Sequence, residues 1–504
     1  MNSKKNYIFH VFILSLLFSI AATLRFSDNH EKLPADCDEF GYLNLAKAFS
    51  NNNTFNDHSP RPYLKNLVTE LKKNNIPELE YRWMIMPYAY HFSEKTNYKI
   101  INQYPPGTSF LISWIPIEYR KKSFPFLVIF FSFLIPFLFF KNAYPSTNKN
   151  NILIPLSFII ILFSISTPFL SELARINSLA FTFCLFITAG LIAFKKPHIS
   201  LLLIFLSANF RLVNLLMLIP FVAIIFPEVI KKIKKQEFKE LRNFLLKCFS
   251  YSIIGITPYF IYAYLLLGNP FVPTYPSHDI ASHGLFEVMD NVKFYLNLNQ
   301  PWFVVHLVSL LVLAIQLRYR LLSIFQFIII LLFPLLNYSF FIFHKIQMDY
   351  YPFASGMILI GICIYTFRNA KLFSYSKHLY LLPFALAITM CVDGINRYIN
   401  KEHLNYNDAN DYYSELCDFD IVWGESLCGT AEYLCNNNGF KFKYATRRAR
   451  VTAMNFLKEN NLSQVILVND ISLPFKEIEE TLTNNNIMFE LKKSENLGLL
   501  LILK

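Results

Sequence analysis

The sequence predicts a polytopic α-helical membrane protein of about 11 to 12 spans with a small α/β domain at its C-terminal end. Three observations carry that prediction. Of the 504 residues, 54% are apolar, with 52 Phe and 29 Tyr. Only 16% are charged, against about 25% in an ordinary soluble domain. Mean hydropathy is +0.33, and apolar runs alternate with short polar loops up to residue 393, after which the pattern becomes that of a globular domain. A soluble chain of this size needs a more polar surface. Cytosolic enzyme, disordered protein and disulfide mini-scaffold are therefore excluded.

The formal net charge of +12 does not point to nucleic acid. Lys and Arg sit in short clusters between apolar runs, as the positive-inside rule expects of cytoplasmic loops. The densest cluster is Lys231, Lys232, Lys234, Lys235, Lys239 and Arg242, offset only by Glu237 and Glu240. It reads as a topology signal.

The first apolar run, Tyr7 to Leu24, follows Lys4 and Lys5, which places the N-terminus in the cytoplasm. Ala21-Ala22 would suit a signal-peptidase site, but the run is long and its loss would remove a span, so an uncleaved anchor is expected. Further runs cover roughly 106–117, 124–140, 152–169, 177–194, 199–209, 212–227, 244–267, 301–317, 321–343, 350–367 and 378–393. Whether 106–117 crosses or dips is left open by its length. With 231–243 inside, 268–300 and 344–349 lie outside, and Arg318 and Arg320 lie inside. Arg368, Lys371 and Lys377 are again inside, so 378–393 exports the tail. Both large hydrophilic regions, 25–104 and 394–504, then face the extracytoplasmic side. The expected domains are residues 1–393, spanning the membrane and including the 25–104 loop, and residues 394–504.

The tail reads as α/β. Gln464 to Val468 is a buried strand, Glu477 to Leu482 a helix, and Ile487 to Leu491 and Leu499 to Leu503 two further strands. Cys184, Cys248, Cys363 and Cys391 lie in apolar runs as core residues. Cys37, Cys417, Cys428 and Cys435 lie outside, where a disulfide within the tail is expected without a defined pairing. Two glycosylation sequons, at Asn52 and Asn461, are what chance supplies in so Asn-rich a chain.

Chemistry concentrates in the first external loop. Residues 25–104 hold ten basic and ten acidic side chains, yet Asp36-Cys37-Asp38-Glu39 gathers three carboxylates in four positions. They lead into the amphipathic stretch Gly41 to Phe49. Carboxylates crowded at an apolar boundary supply a general base or a cation ligand. The plainer reading is an acidic first turn that caps a helix. Asp36 and Asp38 also have the D-x-D spacing of a divalent-metal site; no cofactor is required by this pattern, and a divalent metal is the one it allows. Arg61, Arg82, His91, Lys95 and Lys99 are weaker phosphate contacts in the same loop.

Asp38-Glu39-Phe40-Gly41-Tyr42-Leu43-Asn44-Leu45-Ala46 resembles the D-E-x-x-Y-x-x-x-A start of the first external loop in GT-C glycosyltransferases. These membrane enzymes use polyprenyl-phosphate sugars and include protein O-mannosyltransferases and lipid A aminoarabinose transferases. Tyr104-Pro105-Pro106-Gly107 resembles the Y-P-P-G or H-P-P-L turn that closes the same loop, where two prolines and a glycine break any helix. Ser207 to Pro220 resembles a small-residue turn with one Arg followed by a Leu-rich helix ending in Pro. Gly268-Asn269-Pro270-Phe271, with Thr274 and Tyr275 after it, resembles the G-x-P external turn. Met348-Asp349-Tyr350-Tyr351-Pro352 resembles the R-Y-x-x-P lead-in, with Arg absent and Lys345 nearby. The resemblance covers roughly residues 7–360.

The resemblance implies a GT-C-like fold and a sugar donor linked to polyprenyl phosphate. The acceptor would be a lipid, a glycan or a protein. Asp38 would be the base with Glu39 in support. Arg211, Arg175, Tyr104 and Lys345 would meet the donor or its lipid phosphate, with Asp36, Tyr42 and Glu172 as further members. Arg211 has a physical argument of its own. It interrupts 199–227, and an ionised side chain at mid-membrane costs at least ~2.5 kcal/mol, so two helices joined outside at Arg211 are expected. There it either binds a phosphate bidentately or snorkels to headgroups. Glu172 and Arg175 likewise either join the site or pair with each other. Two other classes compete: a lipid-linked glycan flippase or transporter, which would carry charges within its spans, and an O-antigen polymerase or ligase, which would place its large loop late. The Asn-, Lys-, Ile- and Phe-rich usage suggests a bacterial inner membrane, with the loop and tail in the periplasm. The expected partners are the donor, the acceptor and membrane lipids, and no nucleic acid.

Overall fold

The computed structural model describes residues 2–25, 37–51, 61–85, 89–93, 98–143, 173, 175–179, 181–274, 285–319, 322–344, 347–367, 388–389, 392–393, 395–396, 399, 411, 413–425, 427–442, 445–468 and 475–504. The apolar runs become helices because a backbone surrounded by lipid must satisfy its own hydrogen bonds. The chain divides into two compact units. The first comprises Met1–Ser27, Lys122–Tyr264 and Asn269–Lys401; the second comprises Asp28–Lys121, Leu265–Gly268 and Glu402–Lys504. Residues 28–121 and 402–504 thus share one unit.

The chain opens with α1 (Asn2–Arg25) in the first unit. The second unit then takes α2 (Cys37–Ser50), α3 (Leu64–Lys73), the hairpin β1 (Tyr90–Ser93) and β2 (Lys99–Asn102), and α4 (Gly107–Ser113). With seven residues, α4 is about 10 Å long, so the 106–117 run forms no helix of spanning length. From α5 (Arg120–Ala143) the chain returns to the first unit.

That unit continues with α6 (Thr182–Ile192), α7 (Pro197–Ser207), α8 (Leu218–Lys234) and α9 (Phe238–Leu267). It is completed by α10 (Leu285–Tyr295), α11 (Pro301–Arg318), α12 (Ile324–Ile342) and α13 (Phe353–Phe367). Proline opens α7 and α11, where the missing N–H costs nothing. Ser323 and Gln326 form a reciprocal capping box at α12. Four stretches among the described residues are long and apolar enough to cross a membrane: Leu212–Lys234, Phe238–Leu267, Pro301–Arg318 and Ile324–Ile342. Shorter apolar helices accompany them. The expected run 152–169, and nearly all of 378–393, lie outside the described residues.

Helix α1 packs on α5 through Phe18 and Phe133, edge to face at 4.7 Å. Helices α6 and α13 approach more closely still. A Cβ on Gly190 would stand 2.3 Å from the Ile358 carbonyl oxygen, and one on Gly361 2.4 Å from that of Ile187. Small residues are what permit such contact where apolar burial gives no preference over lipid.

In the second unit the tail forms β3 (Ile421–Gly424), α14 (Leu427–Cys435), β4 (Asn438–Lys441), α15 (Arg447–Glu459), β5 (Gln464–Leu467), α16 (Phe475–Thr483), β6 (Phe489–Ser494) and β7 (Gly498–Leu503). The sheet order is β4-β3-β5-β7-β6. Pairs β3–β4 and β3–β5 are parallel, and the β6–β7 hairpin adds antiparallel to β5. The three parallel strands are buried throughout, whereas β6 is exposed along most of its length. Strands β3 and β4 and helix α15 extend the expected layout of three strands, a helix over Glu477–Leu482 and a short helical stretch between Cys428 and Cys435, the last of which is α14. Tyr413, Leu416, Val422, Val465 and Leu500 form one core cluster beside the sheet. Cys417 and Cys435 are joined in a disulfide, and Cys428 is buried outside that bridge.

Candidate active site

Helix α2 begins at Cys37, so Asp38 and Glu39 occupy its first turn, the end where the helix dipole favours negative charge. Both readings of the cluster therefore start from the same place, and the surroundings separate the two carboxylates. Glu39 is buried and pairs with Lys121 at 3.1 Å, each side chain only 7% exposed. Asp38 is less buried, and its Oδ1 accepts a short hydrogen bond from the Tyr104 hydroxyl. Lys121 matches the charge of Glu39, and the Tyr104 hydroxyl helps to orient Asp38.

Tyr104 is held by three contacts. Its ring stacks on Tyr42 at 4.7 Å with 26° between planes. Its backbone N–H donates to Asn102 Oδ1 at 3.0 Å. Asn102 Nδ2 in turn donates to the Gly41 carbonyl at 3.0 Å, which ties the end of β2 to the first turns of α2. Gly41 lets these parts meet. A Cβ there would fall 2.6 Å from Ala89 Cβ and 2.7 Å from Tyr104 Cδ2. The Pro105-Pro106-Gly107 turn follows at once and starts α4, with Phe110 N–H donating to the Pro106 carbonyl.

The far end of α2 is anchored as well. The Ser50 hydroxyl accepts from Arg120, whose Nε donates to the Ile115 carbonyl at 3.0 Å. Lys47 donates to the Tyr433 carbonyl at 2.8 Å and to Asn436 Oδ1 at 2.9 Å. Burial, with Arg120 nearby, lowers its ammonium pKa. Arg61 is fully buried, with Nη2 3.0 Å from Glu432 Oε2 and Nη1 donating to the Ile85 carbonyl at 2.6 Å. It braces the unit and does not join the Asp38 group. His91 is buried on β1, and Arg82 pairs with Glu78 at 3.8 Å.

The first unit has its own arginine centre. Helix α7 ends, residues 208–210 turn, and Arg211 leads extended into a 3-10 turn over Leu212–Met217, as two helices joined at Arg211 require. Its guanidinium lies 4.7 Å from the Tyr351 ring centre, 5.5 Å from Tyr350 and 5.8 Å from Phe341. Two separate sequence motifs, Ser207–Pro220 and Met348–Pro352, thus meet at one cation. Asn209 Nδ2 secures the turn by donating to the Gly255 carbonyl at 2.7 Å.

Of the expected site residues, Asp38, Tyr42 and Tyr104 come together at the start of α2, and Glu39 in the same turn pairs with Lys121. Arg211 stands among aromatics in the other unit. Arg175 is exposed in a bend. Asp36, Glu172 and Lys345 lie outside the described residues, so the Asp36–Asp38 metal pair does not arise among them. Among the described residues no three His, Cys, Asp or Glu side chains gather as a metal site. Sequence reading missed Asn102 and Lys121. Asn102 stands two residues ahead of Tyr104 and could have been read with that turn. Lys121 is indistinguishable in sequence from a topology-setting charge.

No family model matches the chain, and no curated protein matches it. Among solved structures, the crystal structure of ArnT from Cupriavidus metallidurans bound to undecaprenyl phosphate is similar over 98% of this chain and 97% of that one. The TM-score is 0.53 and the sequence identity 10%. Nearly the whole chain therefore has the ArnT-like fold, a membrane helix bundle with a C-terminal sheet domain.

Proposed function

We propose that this chain is a membrane glycosyltransferase that moves a sugar from a polyprenyl-phosphate donor to an extracytoplasmic lipid, glycan or protein acceptor. The observation that carries the proposal is the hydrogen bond that the Tyr104 hydroxyl donates to Asp38 in the first turn of α2. Glu39 is neutralised by Lys121, whereas Asp38 is aimed by the uncharged Tyr104 hydroxyl. Environments that set two carboxylates apart assign them separate roles. Asp38 takes the proton, and Glu39 positions α2. The donor's phosphate is already a good leaving group, so a base and a cation complete the chemistry.

In the reaction, the acceptor oxygen attacks the anomeric carbon from the face opposite the phosphate, and its proton passes to Asp38. The carbon–oxygen bond to phosphate breaks with its electron pair going to the phosphate, and the anomeric centre inverts. Arg211 is assigned to the lipid phosphate, since its planar guanidinium suits bidentate contact. Similarity to a structure holding undecaprenyl phosphate supports a donor of that class. No step requires a metal.

The test is transfer by the purified full chain from polyprenyl-phosphate sugars, with the sugar and acceptor first identified by mass spectrometry of envelope glycans in cells with and without the gene. Asp38→Asn still caps a helix but cannot take a proton, so transfer should fall ~10²–10⁴-fold at normal membrane levels. Retention of more than about a tenth of wild-type transfer at equal expression would remove Asp38 as the base.

A further inference from the structure

The first unit contains a cavity of about 770 Å³ among the ends of α6, α7, α8, α9 and α12. It lies at the basic junctions that the positive-inside rule assigns to the cytoplasm, and the proposed sugar transfer makes no use of it. Its charged lining is Lys195, Lys232 and Lys247 against Glu228 and Glu240. Lys232 spans both acids, 3.6 Å from Glu228 and 3.1 Å from Glu240, so the lining keeps an excess of positive charge. His198 stands in the same wall with its ring 5.3 Å from that of Tyr251. Its Nδ1 is buried and has no hydrogen-bond partner among the described residues. A second cavity of about 470 Å³ shares Pro227 and Phe325 with the first and adds Lys231, Lys234 and Lys235.

The rest of the lining is apolar, including Phe194, Ile224, Phe244 and Ile329. The flanking surface is apolar and open, with Phe226 56%, Leu246 53% and Phe325 51% exposed. A free phosphate would leave most of such a volume empty and meet apolar walls. An amphiphile satisfies both parts, with an anionic head against the lysines and chains along the exposed apolar faces. We propose that this cavity is a binding site for the phosphate headgroup of an anionic phospholipid of the cytoplasmic leaflet, held by Lys195 and Lys247. Basic pockets between membrane helices on that side recognise this headgroup chemistry.

The experiment uses the full chain, delipidated in detergent, and follows its thermal midpoint on adding phosphatidylglycerol, phosphatidylcholine or inorganic phosphate. A ligand that binds only the folded form raises the midpoint in a concentration-dependent manner. Phosphatidylglycerol should raise it, the other two should not, and K195Q/K247Q should abolish the rise. Equal effects of both phospholipids would reduce the site to the general lipid belt. A full effect of inorganic phosphate would make it a free-anion site. Either result overturns the proposal, as does an undiminished rise in the double variant. If K195Q/K247Q does not fold, a photoreactive phosphatidylglycerol on the wild-type chain decides. Labelling within 193–198, 243–249 and 323–329, competed by unlabelled phosphatidylglycerol and not by phosphatidylcholine, supports the site, and labelling elsewhere refutes it.

Discussion

Arg61 in the second unit and Arg211 in the first are held in opposite ways. Arg61 is sealed by a carboxylate, two carbonyls and the Phe440 ring, with its side chain fully buried. Arg211 is half-buried and faced by Tyr351, Tyr350 and Phe341. Polar partners use up N–H donors, and one of them neutralises the charge. Aromatic faces attract the plane of the cation and take no donor. The first arrangement seals a cation within the fold by polar partners, and the second packs one against rings.

Breaking the comparison at Arg61 has the largest expected effect. Arg61→Met leaves Glu432 buried without its cation, a loss of ~3–5 kcal/mol, read as a fall in the thermal midpoint of the detergent-solubilised chain. Pairing it with Glu432→Leu should recover most of that loss, because two apolar side chains replace an ion pair well. If Arg61→Met alone leaves the midpoint unchanged, the structural role assigned to Arg61 is wrong.

Arg211→Met should do the reverse. Loss of the phosphate cation should lower transfer ~10²–10³-fold, while the midpoint falls by less than for Arg61→Met, since cation–π contacts at partly exposed sites are worth about 0.5–1 kcal/mol each. Arg211→Lys keeps the charge without the planar fork and should fall between. A midpoint loss as large as that of Arg61→Met would erase the distinction.

The smallest effect belongs to a third way of holding charge, at the surface. Hydrogen bonds from Lys492 and Ser494 hold the Glu415 carboxyl below the usual carboxylate range. A folded-state pKa that is lowered adds stability above that range, which is lost as pH falls through the lowered value. Because the pair is solvent-screened, the contribution is below about 1 kcal/mol. Melting the wild type and Glu415→Gln from pH 6 down to pH 3 should show a slightly steeper acid loss in the wild type. Parallel curves would assign Glu415 no such contribution.

Much of this was legible in the sequence because it is written locally. Apolar runs mark α7, α11 and α12 to within a few residues, and the cost of a charge in hydrocarbon is enough to split 199–227 at Arg211. Asp38-Glu39 and Tyr104-Pro105-Pro106 mark the two ends of one loop. What makes the site is not local. Lys121 neutralises Glu39 from 82 positions away, and Asn102 is one Asn among many until β2 carries it to Gly41. The aromatic setting of Arg211 draws on Phe341, Tyr350 and Tyr351, more than 100 positions away, and the motif over Met348–Pro352 does not say which cation its rings meet. The Cys417–Cys435 bridge depends on how α14 meets the turn before β3, which spacing alone does not determine.

Gly41 shows where such a site is fragile. It carries no side chain and would be passed over in any search for reacting groups. Yet the smallest side chain placed there collides with the Tyr104 ring and with Ala89, so the aim of Asp38 is gauged by a missing methyl group. The room for drift is therefore narrow beside the carboxylate, at a position that contributes only its small size and a carbonyl for Asn102. No side chain can be added at this position without first moving the Tyr104 ring whose hydroxyl meets Asp38.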